Sequence, residues 1–352
     1  MNKAIFRKGI IVVIVIATII AAWGLGTYIS RAADRVDVAG TIKITAAVAD
    51  GDDSIFANAF NGTVEIELYK LAAMDYTGRL TKVGAFADET VKIDILDGNP
   101  SIDDIKTGIV NPALTIAARD DVVADEVIRL NKAEATEASV EIEGGAGLYL
   151  YIPKDVRDLR YAYSFTSYVI MAPTSEFIMT GAGSDEWNPN VTFNLKCEET
   201  PLYGSIRIIK NLDTYNLSLG KAAFVYEVKA VRDQEVVFNN VFSIDFSSPG
   251  QLNREITDIP ADADVTVTEI YTGASYTPVG DRAVDVRIVA DTTVDAAFEN
   301  DFDERLNQGG ISAENHFDII DGVYYWTDQD GNPVAQGQTP NEAAPAQEQL
   351  VR

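Results

Sequence analysis

The chain has 352 residues, enough for two domains that each bury a core, and its 47% hydrophobic and 23% charged residues exclude wholesale disorder. Asp and Glu number 54 against 28 Lys and Arg, a formal net charge of -26, so the surface repels phosphate backbones and nucleic acid is not an expected partner. One cysteine, Cys197, and one histidine, His316, allow no intramolecular disulfide and argue against zinc sites and serine-type triads; no metal or cofactor is expected.

Residues 1–32 read as an export segment. Lys3, Arg7 and Lys8 precede an uncharged run from Gly9 to Ser30, and Ser30-Arg31-Ala32 offers the small residues a signal peptidase reads, with cleavage after Ala32. Ile10 to Ile29 also has the length of one bilayer crossing, so an uncleaved N-terminal anchor is the alternative. Either way the remainder is exported, secreted or held at the cell surface, and meets a membrane only through this segment.

From Val38 the pattern is that of strands. Gly40–Ile44, Val64–Leu68 and Val140–Glu143 alternate apolar and polar residues, and Leu148–Ile152, Tyr161–Met171 and Val191–Leu195 are similar in character. Asp121–Asn131 is the best candidate for a helix. Residues 38–200 are therefore expected to form an N-terminal β-sandwich domain, and Glu198-Glu199-Thr200-Pro201 interrupts the pattern as a domain junction. A second strand-rich domain spans 201–302, with turns expected at Asp213, Ser248-Pro249-Gly250 and Pro260. The fold class expected is all-β, with tandem immunoglobulin-like sandwiches. A short extension follows at 303–334, containing the aromatic segment Val323–Trp326, and then a tail at 335–352 rich in Ala, Gln, Pro and Glu that predicts disorder. Asp50-Gly51-Asp52-Asp53 and Asp328–Asn332 read as turns rather than metal sites, and His316 as a loop residue.

Parity singles out three polar residues in the second domain. Alternate residues of a strand share a face, so Lys210 points where Ile206 and Ile208 point. Glu269 follows Val265 and Val267, and Asn300 follows Val294, Ala296 and Phe298. A lone buried charge costs several kcal/mol, so such groups are paired or neutralised. One reading is three strand ends meeting water, or a plain Lys210–Glu269 ion pair. The other is chemical. Desolvation lowers a lysine's pKa and raises a carboxyl's; a neutral Lys210 amine could then attack the Asn300 carboxamide while a protonated Glu269 polarises it and shuttles protons.

These segments resemble the CnaB-type (SpaA-like) domains of Gram-positive pilins and adhesins. Val265–Tyr276 keeps the spacing of the family's E-box, with its acid at Glu269 and closing tyrosine at Tyr276, although Thr272-Gly273-Ala274-Ser275 replaces the usual Ala-Pro-x-Gly. Gly204–Lys210 is similar to the lysine strand and Phe298-Glu299-Asn300 to the closing strand. The resemblance covers about residues 201–302 and implies an autocatalytic Lys210–Asn300 isopeptide bond promoted by Glu269. It further implies a structural or adhesive surface subunit of a Gram-positive-type bacterium, not an enzyme, whose partners are other surface or pilus subunits and host protein, matrix or glycan. A secreted carbohydrate- or protein-binding module is the other reading.

Further candidates are weaker. Asn315, in the echo Ala313–Phe317, is the second choice of acceptor. Lys70 shares parity with Val64, Ile66 and Leu68 and could begin a second cross-link, although Asn194 lies on the face opposite Val191, Phe193 and Leu195. Trp187, Val191, Phe193 and Lys196 have the spacing of the motif that supplies the linking lysine in sortase-assembled pilins, with Asn194-Leu195 where Tyr-Pro is usual. The chain ends Gln347–Arg352 with no Leu-Pro-x-Thr-Gly signal, so attachment is expected through the N-terminal segment or a non-covalent partner, unless the protein is released.

Overall fold

The computed structural model describes residues 35–175, 186–217, 220–304, 316–320 and 323–327. The export segment, the 335–352 tail, Asn315 and the Asp328–Asn332 turn lie outside the described residues. Strands dominate, and the chain divides into two compact units. One runs to Asp158 and resumes at Tyr163–Glu199; the other comprises Leu159–Ala162 and the residues from Thr200 onward.

In the first unit Thr63–Met74 is the central strand. It pairs antiparallel with Leu80–Lys82, Glu126–Asn131 and Gly147–Pro153, and Tyr168–Ala172 pairs with the last of these. A second sheet sets Thr41–Ala47 between Glu137–Glu143, antiparallel, and Asn190–Asn194, parallel. Alternation drives both sheets: Ile42 and Ile44, and Val64, Ile66 and Leu68, are buried.

The expected helix at Asp121–Asn131 is instead the strand Glu126–Asn131. Ile128 and Leu130 are buried with Arg129 exposed between them, a period of two that the partner strand satisfies. Helical residues lie upstream, between Ser101 and Ala117. A capping box of Ser101 and Asp104 opens them, and buried Ile105, Ile109, Ala113 and Ile116 recur at three- and four-residue spacing. Gly108 and Pro112, both poor helix formers, break up that signal in the sequence; the helix is interrupted by a π turn at Lys106–Val110, and Pro112 sits in the first turn of Asn111–Ala117.

The second unit contains two four-stranded sheets. One has the order Gly250–Pro260, Tyr203–Leu212, Thr293–Phe302, Tyr276–Val279; the other Glu235–Phe246, Ala222–Arg232, Asp264–Tyr271, Ala283–Arg287. Of the strands in these two sheets, the first in the chain, Tyr203–Leu212, and the last, Thr293–Phe302, are parallel neighbours, with Lys210 opposite Phe298 and Leu212 opposite Asn300. Ile206, Ile208, Phe224, Val228, Val265, Val267, Ala296 and Phe298 form one apolar core. Asp233 and Gln234, both with positive φ, make the two-residue hairpin turn between Ala222–Arg232 and Glu235–Phe246. Pro260 is not a turn residue: it ends a strand, and the chain turns after it at Ala261-Asp262, where Asp262 has φ 64°. Residues His316–Ile320 and Val323–Thr327 pair as a hairpin, so His316 opens a strand rather than lying in a loop.

Candidate functional site: a buried amine, carboxyl and carboxamide

Each of the three polar residues ends an apolar row, and in the second unit the rows converge. Lys210, Glu269 and Asn300 are 0%, 1% and 0% exposed. Lys210 Nζ donates to Glu269 Oε1 at 3.0 Å and to Asn300 Oδ1 at 2.5 Å. Lys210 and Asn300 come from the adjacent first and last strands of one sheet, whereas Glu269 comes from the other sheet. The site therefore lies between the layers, away from water. Phe224 presents its ring to the amine, with Nζ 4.6 Å from the centroid.

Burial holds the Lys210 pKa below the usual lysine range, and the charge and hydrogen bond of Glu269 oppose that shift only in part. A depressed pKa increases the share of neutral amine, the form with a free lone pair. The carboxamide is held from its other end. Asn300 Nδ2 donates to the Thr272 carbonyl at 3.3 Å, so Oδ1 faces the amine and Nδ2 faces the turn. That turn is Thr272-Gly273-Ala274-Ser275. Gly273 has φ 81°, and a Cβ there would lie 2.8 Å from Tyr276 Cδ2, so glycine lets the buried tyrosine close over the turn. The Tyr276 hydroxyl accepts from the Asn216 backbone N–H at 3.0 Å.

One participant escaped the sequence reading. Tyr226 is fully buried, and its hydroxyl donates to Glu269 Oε1 at 3.1 Å. The signal was present, because Tyr226 lies on the row of Phe224, Val228 and Ala230 and adds a fourth polar atom to the same interior. The Thr272 carbonyl could not have been found, since a backbone acceptor leaves no mark on residue type.

The remaining candidates lie apart from this cluster. Lys196 is exposed, and its backbone carbonyl accepts from Thr166 N–H at 3.0 Å, while Trp187 packs half-buried against the first unit's core. Lys70 ends its row only half-buried. A bulge between Lys70 and Ala72 shifts the register, and Leu71 takes the buried place. Lys70 Nζ reaches the Gly144 carbonyl at 3.5 Å and the Tyr149 ring at 5.8 Å, and the structure does not bring it to Asn194, which is exposed. Asp50–Asp53 is a surface turn with Gly51 at φ 71°. Among the described residues no helix is long and apolar enough to cross a membrane.

No family model and no curated protein matches the chain. Solved structures similar to it include the TIE protein of Bacillus anthracis, at 10% identity and TM-score 0.31, with 74% of this chain and 34% of that chain covered. They also include the minor pilin GBS52 of Streptococcus agalactiae, at 12% identity and TM-score 0.20, covering 78% of this chain and 100% of that one. The shaft pilin SpaA of Lactobacillus rhamnosus GG, as a D295N mutant, shows 11% identity and TM-score 0.27 over 76% of this chain and 100% of that chain. The chain thus spans about a third of the first of these proteins. At such identities and scores, function has to be argued from this chain's own residues.

Proposed function

We propose that the chain is an exported cell-surface subunit of the pilin or adhesin kind, whose second unit joins its own first and last strands through a Lys210–Asn300 isopeptide bond promoted by Glu269. The supporting observation is the meeting of a buried amine, carboxyl and carboxamide at hydrogen-bond distance, with the amine's pKa held low. A plain ion pair has no use for the carboxamide on the third corner. Nζ attacks the Asn300 Cγ, the Cγ–Nδ2 bond breaks, and the proton lost by Nζ reaches Nδ2 through the Glu269 carboxyl, so that one ammonia leaves. The chemistry is confined to the protein itself.

The bond suits a structural role. It closes a loop of 90 residues and ties the strands through which tension would enter the domain. By analogy with disulfide loops this constraint stabilises by roughly 4–5 kcal/mol. Lys196, exposed between the strands Asn190–Asn194 and Cys197–Pro201, is the side chain a transpeptidase joining subunits would reach.

Intact-mass measurement of the recombinant exported part tests the reading. The expected result is one ammonia missing from the wild-type mass and none missing after Lys210→Ala or Glu269→Ala. Tandem mass spectrometry should return the Lys210 and Asn300 peptides as one branched species. Their recovery as separate peptides from folded protein would refute the proposed chemistry.

A further inference from the structure

Glu269 is held asymmetrically. Oε1 accepts from both Lys210 Nζ, at 3.0 Å, and the Tyr226 hydroxyl, at 3.1 Å, whereas Oε2 is buried with no hydrogen-bond partner among the described residues. Tyr226 is well placed to impose this. It is the cross-strand partner of Glu269 on the neighbouring strand, and its ring lies 5.0 Å from that of Phe298, two residues before Asn300. Burial raises the phenol's pKa, so Tyr226 remains an O–H donor. In a dry interior that hydrogen needs an acceptor, and Oε1 is the one it has.

We propose that Tyr226 is a positioning residue for the cross-linking reaction: by occupying Glu269 Oε1 as a donor, its hydroxyl confines the carboxyl proton to Oε2. This inference rests on the reading of the three residues as a bond-forming site. Oε1 already receives two hydrogens, from Lys210 Nζ and the Tyr226 hydroxyl, so a carboxyl proton placed there would compete with both, and Oε2 is the open position for it. The two oxygens then have separate tasks. Oε1, already facing the amine, takes a proton from Nζ as the Nζ–Cγ bond forms. Oε2 gives its proton to Nδ2 as the Cγ–Nδ2 bond breaks and ammonia departs. The carboxyl loses one proton from Oε2 and gains one on Oε1, so it ends with one proton and consumes no water; Nδ2 must leave the Thr272 carbonyl to receive the Oε2 proton.

Refolding supplies the test, starting from full-length chains in denaturant whose mass shows no ammonia yet lost. On dilution, folding is followed by circular dichroism and cross-linking by the mass of one ammonia lost over time. Tyr226→Phe keeps the ring and should fold at the wild-type rate but cross-link roughly 10- to 100-fold more slowly, the scale expected when a catalytic group loses its alignment. A second readout isolates the hydroxyl. With the reaction blocked by Asn300→Ala, the infrared carboxyl band of Glu269, identified by its loss in Glu269→Gln, should move to higher frequency when Tyr226→Phe is added. Cross-linking of Tyr226→Phe at the wild-type rate, or a stationary band, overturns the role of Tyr226. If instead the wild type loses no ammonia, the bond-forming site itself is refuted. Should Tyr226→Phe not refold, fluorotyrosine incorporated at position 226 carries the test: a stronger donor of almost unchanged shape should shift the band downward, and an unmoved band overturns the proposal.

Discussion

Replacing Glu269 by glutamine separates the covalent contribution from the packing contribution. Glutamine matches the volume of the side chain and keeps an oxygen that can accept from Lys210 Nζ and the Tyr226 hydroxyl, so the contacts between the sheets survive. What it lacks is an exchangeable carboxyl proton, and without proton transfer the amide does not form. The buried lysine left behind is not a full charge to be accommodated, because burial already holds its pKa down and it can remain a neutral amine. The dominant loss is therefore the chain constraint. For a loop of 90 residues this is roughly 4–5 kcal/mol. At about 4–8 °C per kcal/mol for a domain near 100 residues, the transition of the second unit should fall by roughly 15–40 °C. Differential scanning calorimetry reads the shift, and intact mass reports whether ammonia was retained. Two results would defeat this reasoning: loss of ammonia by the Glu269→Gln protein, or retention of it with a transition within a few degrees of wild type.

Other consequences follow from the same geometry. In Asn300→Ala the Lys210 amine stays free. Its folded pKa lies below the 10.5 of the unfolded chain, so the unfolded state binds more protons, and stability should rise with pH toward 10.5. Denaturant titrations from pH 7 upward should show this rise relative to the Lys210→Met, Asn300→Ala double variant, which has no amine at that position; parallel curves would contradict it. Gly273→Ala forces a Cβ toward the Tyr276 ring at φ 81° and should cost about 1–3 kcal/mol in urea unfolding, with slower cross-linking because the Thr272 carbonyl moves. Burial, then the nearby charges of Glu199 and Asp52, push the Cys197 thiol up to about 12 from an ordinary 9.0, so at pH 8 its reaction with a thiol reagent should be roughly 1000-fold slower in the folded protein than in denaturant. Equal labelling rates would show that the thiol is not shielded. Ser101→Ala removes the capping box at Ser101–Asp104 and should destabilise the first unit by about 1 kcal/mol, measured by chemical denaturation.

Much of this was legible in the sequence, for a local reason. Two-residue alternation is a property of the strand backbone itself, so rows such as Ile206–Ile208–Lys210 declare which side chains share a face before any partner is known. The same rule would have exposed Tyr226, had a tyrosine among apolar residues been counted as polar. It failed where alternation was broken by a feature that pairing decides. The pairing of Thr63–Met74 with Gly147–Pro153 shifts register between Lys70 and Ala72, and there Leu71 rather than Lys70 is buried. Glu126–Asn131 is a strand because Thr63–Leu68 offers it hydrogen bonds, not because its own residues demand one.

Parity alone determined that a lysine, an acid and an amide each share a face with an apolar row, because a strand has only two faces. It could not determine that they face one another. That was decided when the last strand came to lie parallel beside the first and the opposite sheet set Glu269 across from them, bringing residues 90 positions apart to 2.5 Å. Long-range pairing is a matter of which edges close which sheet, and chain order does not contain it. The donor arrangement around Glu269 likewise exists only in the folded interior, where water no longer competes for the carboxyl.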